Sequence, residues 1–568
     1  MIRNKTTLGS GKTFCALALT TLLCSCERGL PFLGAPPLSS DLAIQIVDGS
    51  TGQTTPAMVA IVSLADGALR LPPDGRRYKK KGSVIADFHR GIEFDSDPNW
   101  IGPIRKMRGM GKNRERSFVY GPKASLPYWK DEFSHSTSGN FSIQLDPGRY
   151  RLSVARGNEY VPIREEFEVP DTPAKLNRTV LLERWTNQAA LGWYSGDIHV
   201  HHPTTKPKFR EFLLHYALAE DVHLSNVLTM GRPNEVLMPQ DIFGKPECDE
   251  TLQYCLISGQ EDPRSFFGHM TGSRITAPAR FPEQYDLYDV TLEGIRKQGG
   301  LVGLAHFAFN GGGNGDHARR YRRYWYLTRG LVDFVELLQY RTTNTSDFYD
   351  YLNMGIPMTA AAGSDLPWGS TLGEARTYVY LDGDFSVAAW FDGLEAGRTF
   401  ISNGPVLDFL ADDQRAGSEI HVEPGHTARL EIAVTGHPGI GLPRHLRLIG
   451  SDGLLGEFLP DSANPAQITA TTTLDITRSQ WIVASTECYN GAIAHSSPIY
   501  FVVDNEPFVH PERAGGIVDR HLDALGAVKV EVNSWPDHPH ANEILQQIEE
   551  TQAFYRGQKA RAAALQSR

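Results

Sequence analysis

Apolar and polar positions change their period along this chain, and the changes mark out its parts. In "LAIQIVD" and "MVAIVSL" they alternate as in strands. "FSIQLDPGRYRLSVARG" predicts a hairpin: Phe141, Ile143 and Leu145 alternate, Asp146-Pro147-Gly148 supplies turn chemistry, and Tyr150, Leu152 and Val154 alternate back. A small β-sandwich over 41–185 follows, with a polar insertion near 70–135 in which the pattern predicts no element.

From about 186 the period switches between two and 3.6. "WYSGDIHV", "HLSNVLTM", "YCLISGQ", "LVGLAH", "VDFVELLQ" and "MTAAAGSD" predict strands. Between them "KFREFLLHYALAEDV", with Phe209, Phe212, Leu213 and Tyr216 on one face, predicts a helix. "LYDVTLEGIRKQGG" predicts a second helix closed by glycine, and "TSDFYDYLNMG" a third. Alternating β and α elements imply a mainly parallel sheet or barrel over 186–400. After "GRTFISNGP" the strands "ARLEIAVTG", "LRLIGSDG", "SQWIVASTE" and "PIYFVVD" predict a second sandwich over 401–506. A helical tail, 507–568, places Ile544, Ile548 and Tyr555 on one stripe, the mark of a docking face.

The first 26 residues carry an address. Arg3, Lys5 and Lys12 precede the apolar run "FCALALTTLLCSC", the layout of a secretory signal. Its end, Leu23-Cys24-Ser25-Cys26, resembles a bacterial lipobox, with Cys26 as the lipidated residue and 27–40 as a Pro/Gly/Ser tether. The expectation is a secreted lipoprotein, anchored through Cys26 at the periplasmic or outer cell surface. "GSGKT" at 9–13 lacks the first glycine of a phosphate loop and follows no strand.

Composition narrows the classes. At 568 residues the chain exceeds one typical core, and 41% hydrophobic with 21% charged residues is ordinary for a globular protein. A formal charge of -10 gives no global reason to expect a nucleic-acid partner. The basic runs "RRYKKKG" and "RKMRGMGKNRER" have no helical period and read as solvated loops. Outside the leader, Cys248 and Cys255 could form a local disulfide and Cys488 stands alone, so a metal would need histidines and carboxylates.

"SGDIHVHHP" offers them. In a strand, Asp197, His199 and His201 share one face while Ile198 and Val200 take the other. Taken alone, such a stretch reads as a polar strand end or turn with solvated histidines, and the rest of the chain must decide. Further candidates fall where strands end: Glu261 after "YCLISGQ", His306 in "LVGLAH" and Asp365 in "MTAAAGSD", with His269 reached by a loop. Barrels of parallel strands collect functional side chains at these ends.

The order of "GDIHVHHP", "AEDVHLSNVLTMG", "SGQEDPRSFFGHM", "GGLVGLAHF", "AAGSDLPWGS", "LGEARTYVY" and "GRTFISNGP" resembles the polymerase-and-histidinol-phosphatase (PHP) superfamily of metal-dependent hydrolases. Within it, the likeness is to the carbaryl-hydrolase-like (CehA/McbA) branch. The resemblance covers roughly 190–405 and implies an α/β chain whose distorted (β/α) barrel is flanked by two small β-sandwiches. By it, His199, His201 and Asp365 hold one metal, His269 and His306 a second, and Glu261 bridges. Arg376 and Asn403 would face the substrate or pin the seam between barrel and sandwich. The chain departs from the family at "LTMGRPN", where a Thr-Asp-His is usual, and at Asp365-Leu366-Pro367, where Asp-x-His is usual. Both missing histidines would serve a third ion, so two is the expected maximum. His202 and His223 receive no role.

Two divalent ions lower the pKa of a shared water from 15.7 to roughly 7 in the best zinc cases, and Asp365 could take its proton. Mixed nitrogen and oxygen ligands suit Zn, Mn or Fe. The stretch "HFAFNGGGNGDHARRYRRYW" reads either as a lid whose Arg319, Arg320, Arg322 and Arg323 clamp an anion or as a solvated basic helix face. Neither a Gly-x-Ser-x-Gly elbow nor a catalytic-cysteine signature occurs. The expected activity is hydrolysis of a phospho-, carboxyl- or carbamate ester in a small molecule or surface polymer. The rival readings are a scaffold lipoprotein with a degenerate barrel and a glycan-binding surface protein.

Overall fold

Every second side chain of the strand Ser40–Asp48 is buried, with Leu42, Ile44 and Ile46 at its core face. The computed structural model describes residues 39–70, 134–136, 138–233, 235–308, 324–339, 342–366, 371–535 and 537–567. The leader, Cys26, most of the polar insertion, the arginine-rich stretch with Arg319, and Pro367 lie outside these residues.

Two sheets form the N-terminal layer. Ser40–Asp48 lies between Asn140–Leu145 and Lys175–Leu182. The other sheet runs Leu69–Arg70, Ala57–Ser63, Gly148–Ala155 and Ile163–Val169. The expected hairpin is not there. Phe141, Ile143, Leu145, Tyr150, Leu152 and Val154 are buried as their alternation requires. Yet Asn140–Leu145 pairs with Ser40–Asp48, while Gly148–Ala155 pairs with Ala57–Ser63. Asp146 and Pro147 make a corner from one sheet to the other, and both apolar rows enter the same core. Alternation reports which face is buried, not which strand lies alongside.

The central sheet positions the site. Trp193–Val200, Leu224–Arg232 and Cys255–Glu261 run parallel, side by side. Met270–Ser273 then runs antiparallel between Cys255–Glu261 and Leu301–Leu304, and parallel order resumes through Phe334–Gln339 and Ala360–Ala362. The antiparallel strand departs from the expected β-α alternation. Its cause is a short loop, 262–269, where a crossover helix would need a dozen or more residues. After Ala360–Ala362 the chain returns to the first strand through one parallel bridge, Val200 to Leu366, and His201 donates its backbone N–H to Leu366 O at 2.7 Å.

On its other side, Trp193–Val200 pairs antiparallel with Arg376–Tyr380, which continues through Thr399–Ser402 to Ile493–Ser496. The sheet therefore runs unbroken past residue 400. A four-stranded sheet centred on Val406–Ala411 and His426–Thr435 packs over this extension, burying Phe409 and Ile432 with Trp193, Tyr378 and Phe400.

The protein is mixed α/β and mostly sheet. Helices Pro207–Glu220, Tyr288–Arg296 and Thr345–Asn353 form where the 3.6 period predicts. Val387–Glu395 is a helix the pattern did not single out, capped by Ser386. Its Trp390 donates to Tyr194 O at 2.9 Å and lies so close to Gly196 that a Cβ there would fall 2.3 Å from the indole. The tail forms two helices, Ala514–Asn533 and Ala541–Gln566, and Ile544, Ile548 and Tyr555 are buried against the central core. Cys248 and Cys255 form a disulfide, while Cys488 is free and buried. Among the described residues no helix is long and apolar enough to cross a membrane.

Candidate metal centre

The first strand delivers two imidazoles because its alternation puts Ile198 and Val200 into apolar cores and leaves His199 and His201 on the opposite face. Asp197 shares that face, but its carboxylate accepts the backbone N–H groups of His199 (3.2 Å), Ser364 (2.9 Å) and Gly373 (2.9 Å). It anchors the returning chain. That chain approaches so closely that a Cβ on Gly363 would lie 2.5 Å from His199 Cβ. Burial raises the Asp197 carboxyl pKa despite these hydrogen bonds.

The six candidates from strand ends and loop come together. His199 Nε2 and His201 Nε2 are 3.0 Å apart, and Asp365 Oδ1 is 3.5 and 3.4 Å from them. Glu261 Oε1 lies 2.8 Å from His269 Nδ1 and 3.0 Å from His306 Nε2. The same carboxylate reaches the first group, with Oε1 3.6 Å from His199 Nε2 and Oε2 3.4 Å from His201 Nε2. Two ligand atoms bonded to one ion at about 2.1 Å stand roughly 3.0–3.5 Å apart, the spacing found here. In each of the groups His199/His201/Asp365 and Glu261/His269/His306 the ligand atoms lie within 4.8 Å of one another.

Glu261 Oε2 is buried and, although Arg264 Nε lies 2.9 Å away, accepts no aligned hydrogen bond among the described residues. A buried carboxylate oxygen without a donor is costly in a dry site and satisfied by a cation. The donor set therefore fits a divalent metal. His306 (φ 59°) and Asp365 (φ 51°) sit in left-handed backbone just beyond their strands. Such strain, of order 1 kcal/mol or more per residue, is retained at functional sites that need a side chain re-aimed.

A second ring of contacts fixes the imidazoles. His199 Nδ1 is 2.5 Å from Glu336 Oε1, His201 Nδ1 donates to Leu228 O at 3.1 Å, and His306 Nδ1 donates to Gln339 Oε1 at 2.8 Å. Gln339 Nε2 in turn donates to Glu336 Oε2, which also accepts the His306 backbone N–H. Each of these rings thus turns Nε2 inward. Neither Glu336 nor Gln339 was among the sequence candidates. The available signal was a glutamate inside "VDFVELLQ", a charge in a strand that is apolar but for its terminal Gln339 and here wholly buried.

Charge follows this geometry. Burial opposes charging His199, but Glu336 and Asp365 overcome it and push its pKa up to about 10. Burial, reinforced by the Arg264 guanidinium, pushes His269 down to about 3. Arg264 and His269 hold Glu261 well below the carboxylate range in spite of burial, and His199 lowers the Asp365 carboxyl against its burial.

The remaining candidates lie elsewhere. Arg376 is fully buried and donates to Gly373 O, Asp221 O and Glu220 O at 2.7, 2.9 and 2.6 Å, tying down the end of helix Pro207–Glu220. Asn403 Oδ1 accepts the Ile493 N–H at 2.8 Å, beside the paired strands Thr399–Ser402 and Ile493–Ser496. Both side chains are engaged with backbone groups in these places. Buried His202 bonds Phe209 O at 3.0 Å and stacks on Phe212. His223 lies 3.2 Å from Ser195 Oγ, but both are buried and Ser195 also donates to Asp221 O, so the pair presents no nucleophile.

No family model matches the chain, and no curated protein matches it. Among solved structures, a two-domain protein containing a predicted PHP-like metal-dependent phosphoesterase from Bacteroides vulgatus is similar at 13% identity and a TM-score of 0.29, covering 56% of this chain and 94% of that one. An engineered protein is similar at 11% identity and a TM-score of 0.13, covering 45% of this chain and 67% of that one. Likenesses this low carry no argument, and the centre stands on its own geometry.

Proposed function

We propose that this chain is a metal-dependent hydrolase of the PHP type, in the carbaryl-hydrolase-like branch, cleaving an ester-type bond outside the cytoplasm. The observation that carries the reading is Glu261, whose carboxylate joins two three-ligand groups made of His199, His201 and Asp365 and of His269 and His306. Two divalent cations, when bound, would activate water and polarise the ester oxygen. The chain's own residues hold the ligands, aim them through Glu336 and Gln339, and place Asp365 where it can accept the proton of the attacking water. In this reading the side-by-side row of strands described above, from Trp193–Val200 to Ala360–Ala362, is the distorted barrel, closing at the Val200–Leu366 bridge. The leader and Cys26 would tether it to a membrane.

The test is elemental analysis of the protein purified without chelator or histidine tag, beside Asp365→Ala and Glu261→Ala. About two divalent metals per chain, reduced in Asp365→Ala and further in Glu261→Ala, are expected, with hydrolysis of phosphate, carboxylate or carbamate esters lost in both. A wild-type chain that takes up no Zn, Mn or Fe would end the reading.

A further inference from the structure

The six ligand candidates are not equally enclosed. His199, His201 and Glu261 are within 1% of complete burial, whereas the side chains of His269 and His306 are 27% and 17% exposed. The side of His269 and His306 is therefore the more open one. Arg264 stands there, its side chain 20% exposed, on the loop that joins Glu261 to His269.

Its Nε lies 2.9 Å from Glu261 Oε2, yet neither atom makes a hydrogen bond, because the N–H is not directed at that oxygen. Glu261 is the ion-pair partner of Arg264 among the described residues, and the neighbouring Asp262 carboxylate also lies within reach of its charge. The backbone is firmly set. Arg264 N donates to Tyr285 Oη and Ser265 N to Tyr288 Oη, so the guanidinium is carried on an ordered support. The Nε–H pairs with the carboxylate by charge without aligning on it, so the guanidinium stands at the open side of the cluster beside the ligands.

Charge points the same way. Glu261, Asp365 and Glu336 supply three negative charges. Two divalent cations would exceed them, and Arg264 adds another positive charge at the open side. A neutral ester gains little from that surplus, whereas an oxyanion beside the scissile bond is drawn in and held by a planar two-donor group.

We infer that Arg264 is a specificity-determining residue that grips a substrate oxyanion, phosphoryl or carboxylate, so that the centre selects anionic over neutral esters. This rests on the hydrolase reading above. The test uses the full chain loaded with Mn, its metal content measured, and calorimetric titration with inorganic phosphate and with acetate. Wild type, Arg264→Gln and Arg264→Lys are compared, together with KM for p-nitrophenyl phosphate and p-nitrophenyl acetate. Arg264→Gln should keep its metal, lose at least tenfold in phosphate affinity and raise KM for the anionic ester alone, with lysine restoring part. Tighter phosphate than acetate assigns a phosphoryl group, and the reverse a carboxylate. Unchanged phosphate affinity with metal retained overturns the inference, as does loss of metal in Arg264→Gln, which would make the arginine a structural partner of Glu261. If wild type takes up no metal the hydrolase reading falls; phosphate titration of the metal-free chains then decides alone, weaker binding in Arg264→Gln supporting the grip and equal binding overturning it.

Discussion

His199 Nδ1 stands 2.5 Å from Glu336 Oε1, and both side chains are completely buried. A carboxylate there fixes the tautomer and orientation of a ligating ring and raises its basicity. Glu336→Gln keeps the shape and removes the charge. Metal affinity should fall about 10- to 100-fold with the fold intact, as contacts of this kind do. Metal titration followed by calorimetry, with circular dichroism as the check on folding, measures it; unchanged affinity would reduce Glu336 to a packing role.

The tail reaches the centre indirectly. Trp535, just after helix Ala514–Asn533, packs edge-on against Phe266 with ring centroids 4.9 Å apart, and His538 bonds Asp286. Phe266 belongs to the loop that carries Arg264 and His269. Trp535→Ala should destabilise the protein by about 2–3 kcal/mol, the range for a partly buried aromatic. It should also weaken metal retention at His269 more than at His201. Thermal melts with and without metal separate the effects, since a purely global loss would leave metal affinity in the folded protein unchanged.

Much of the centre was legible in the sequence because its ligands sit at the ends of apolar strands, where burial fixes both the strand and its last polar residue. His199, His201, Glu261, His306 and Asp365 were found this way. Glu336 was not, because it lies within its strand and bonds a ring that belongs to another one. Arg264 was hidden for a different reason. Only the antiparallel return of Met270–Ser273 turns the loop 262–269 beside Glu261, and helical or strand period says nothing about a loop. The sandwich strands showed the converse: Phe141 and Tyr150 were correctly buried and wrongly paired.

Asp197 tests how the centre is framed. Its carboxylate gathers backbone N–H groups from His199, Ser364 and Gly373, so it holds together the chain segments that carry His199 and Asp365. Asp197→Ala leaves three donors unsatisfied and should cost about 3–5 kcal/mol, with metal lost as a consequence. Asp197→Asn keeps one acceptor oxygen and should cost less. Urea unfolding of the two variants gives the ranking; equal losses would mean that the charge, not the acceptor geometry, frames the site.

His495 sets an acid limit on stability away from the centre. Its Nδ1 donates to Ser496 O at 2.7 Å, Tyr349 Oη donates to its Nε2 at 2.8 Å, and the ring is buried. Burial pushes its pKa down to about 4 although the Ser496 carbonyl favours the charged form. The unfolded chain titrates near 6.5, so below that value the unfolded state binds the extra proton and gains on the folded one. The contribution is fully present above about pH 6.5 and is lost as pH falls toward about 4, amounting to about 2 kcal/mol by pH 5. Urea unfolding at about pH 7 and about pH 5 should show this loss in the wild type, and His495→Gln should shrink it by about that amount because glutamine does not titrate. His202 and His223, pushed by burial to about 3 and about 4, add to the same slope, so some acid sensitivity should survive the substitution. A slope identical in wild type and variant would mean that the buried ring already carries its proton when folded.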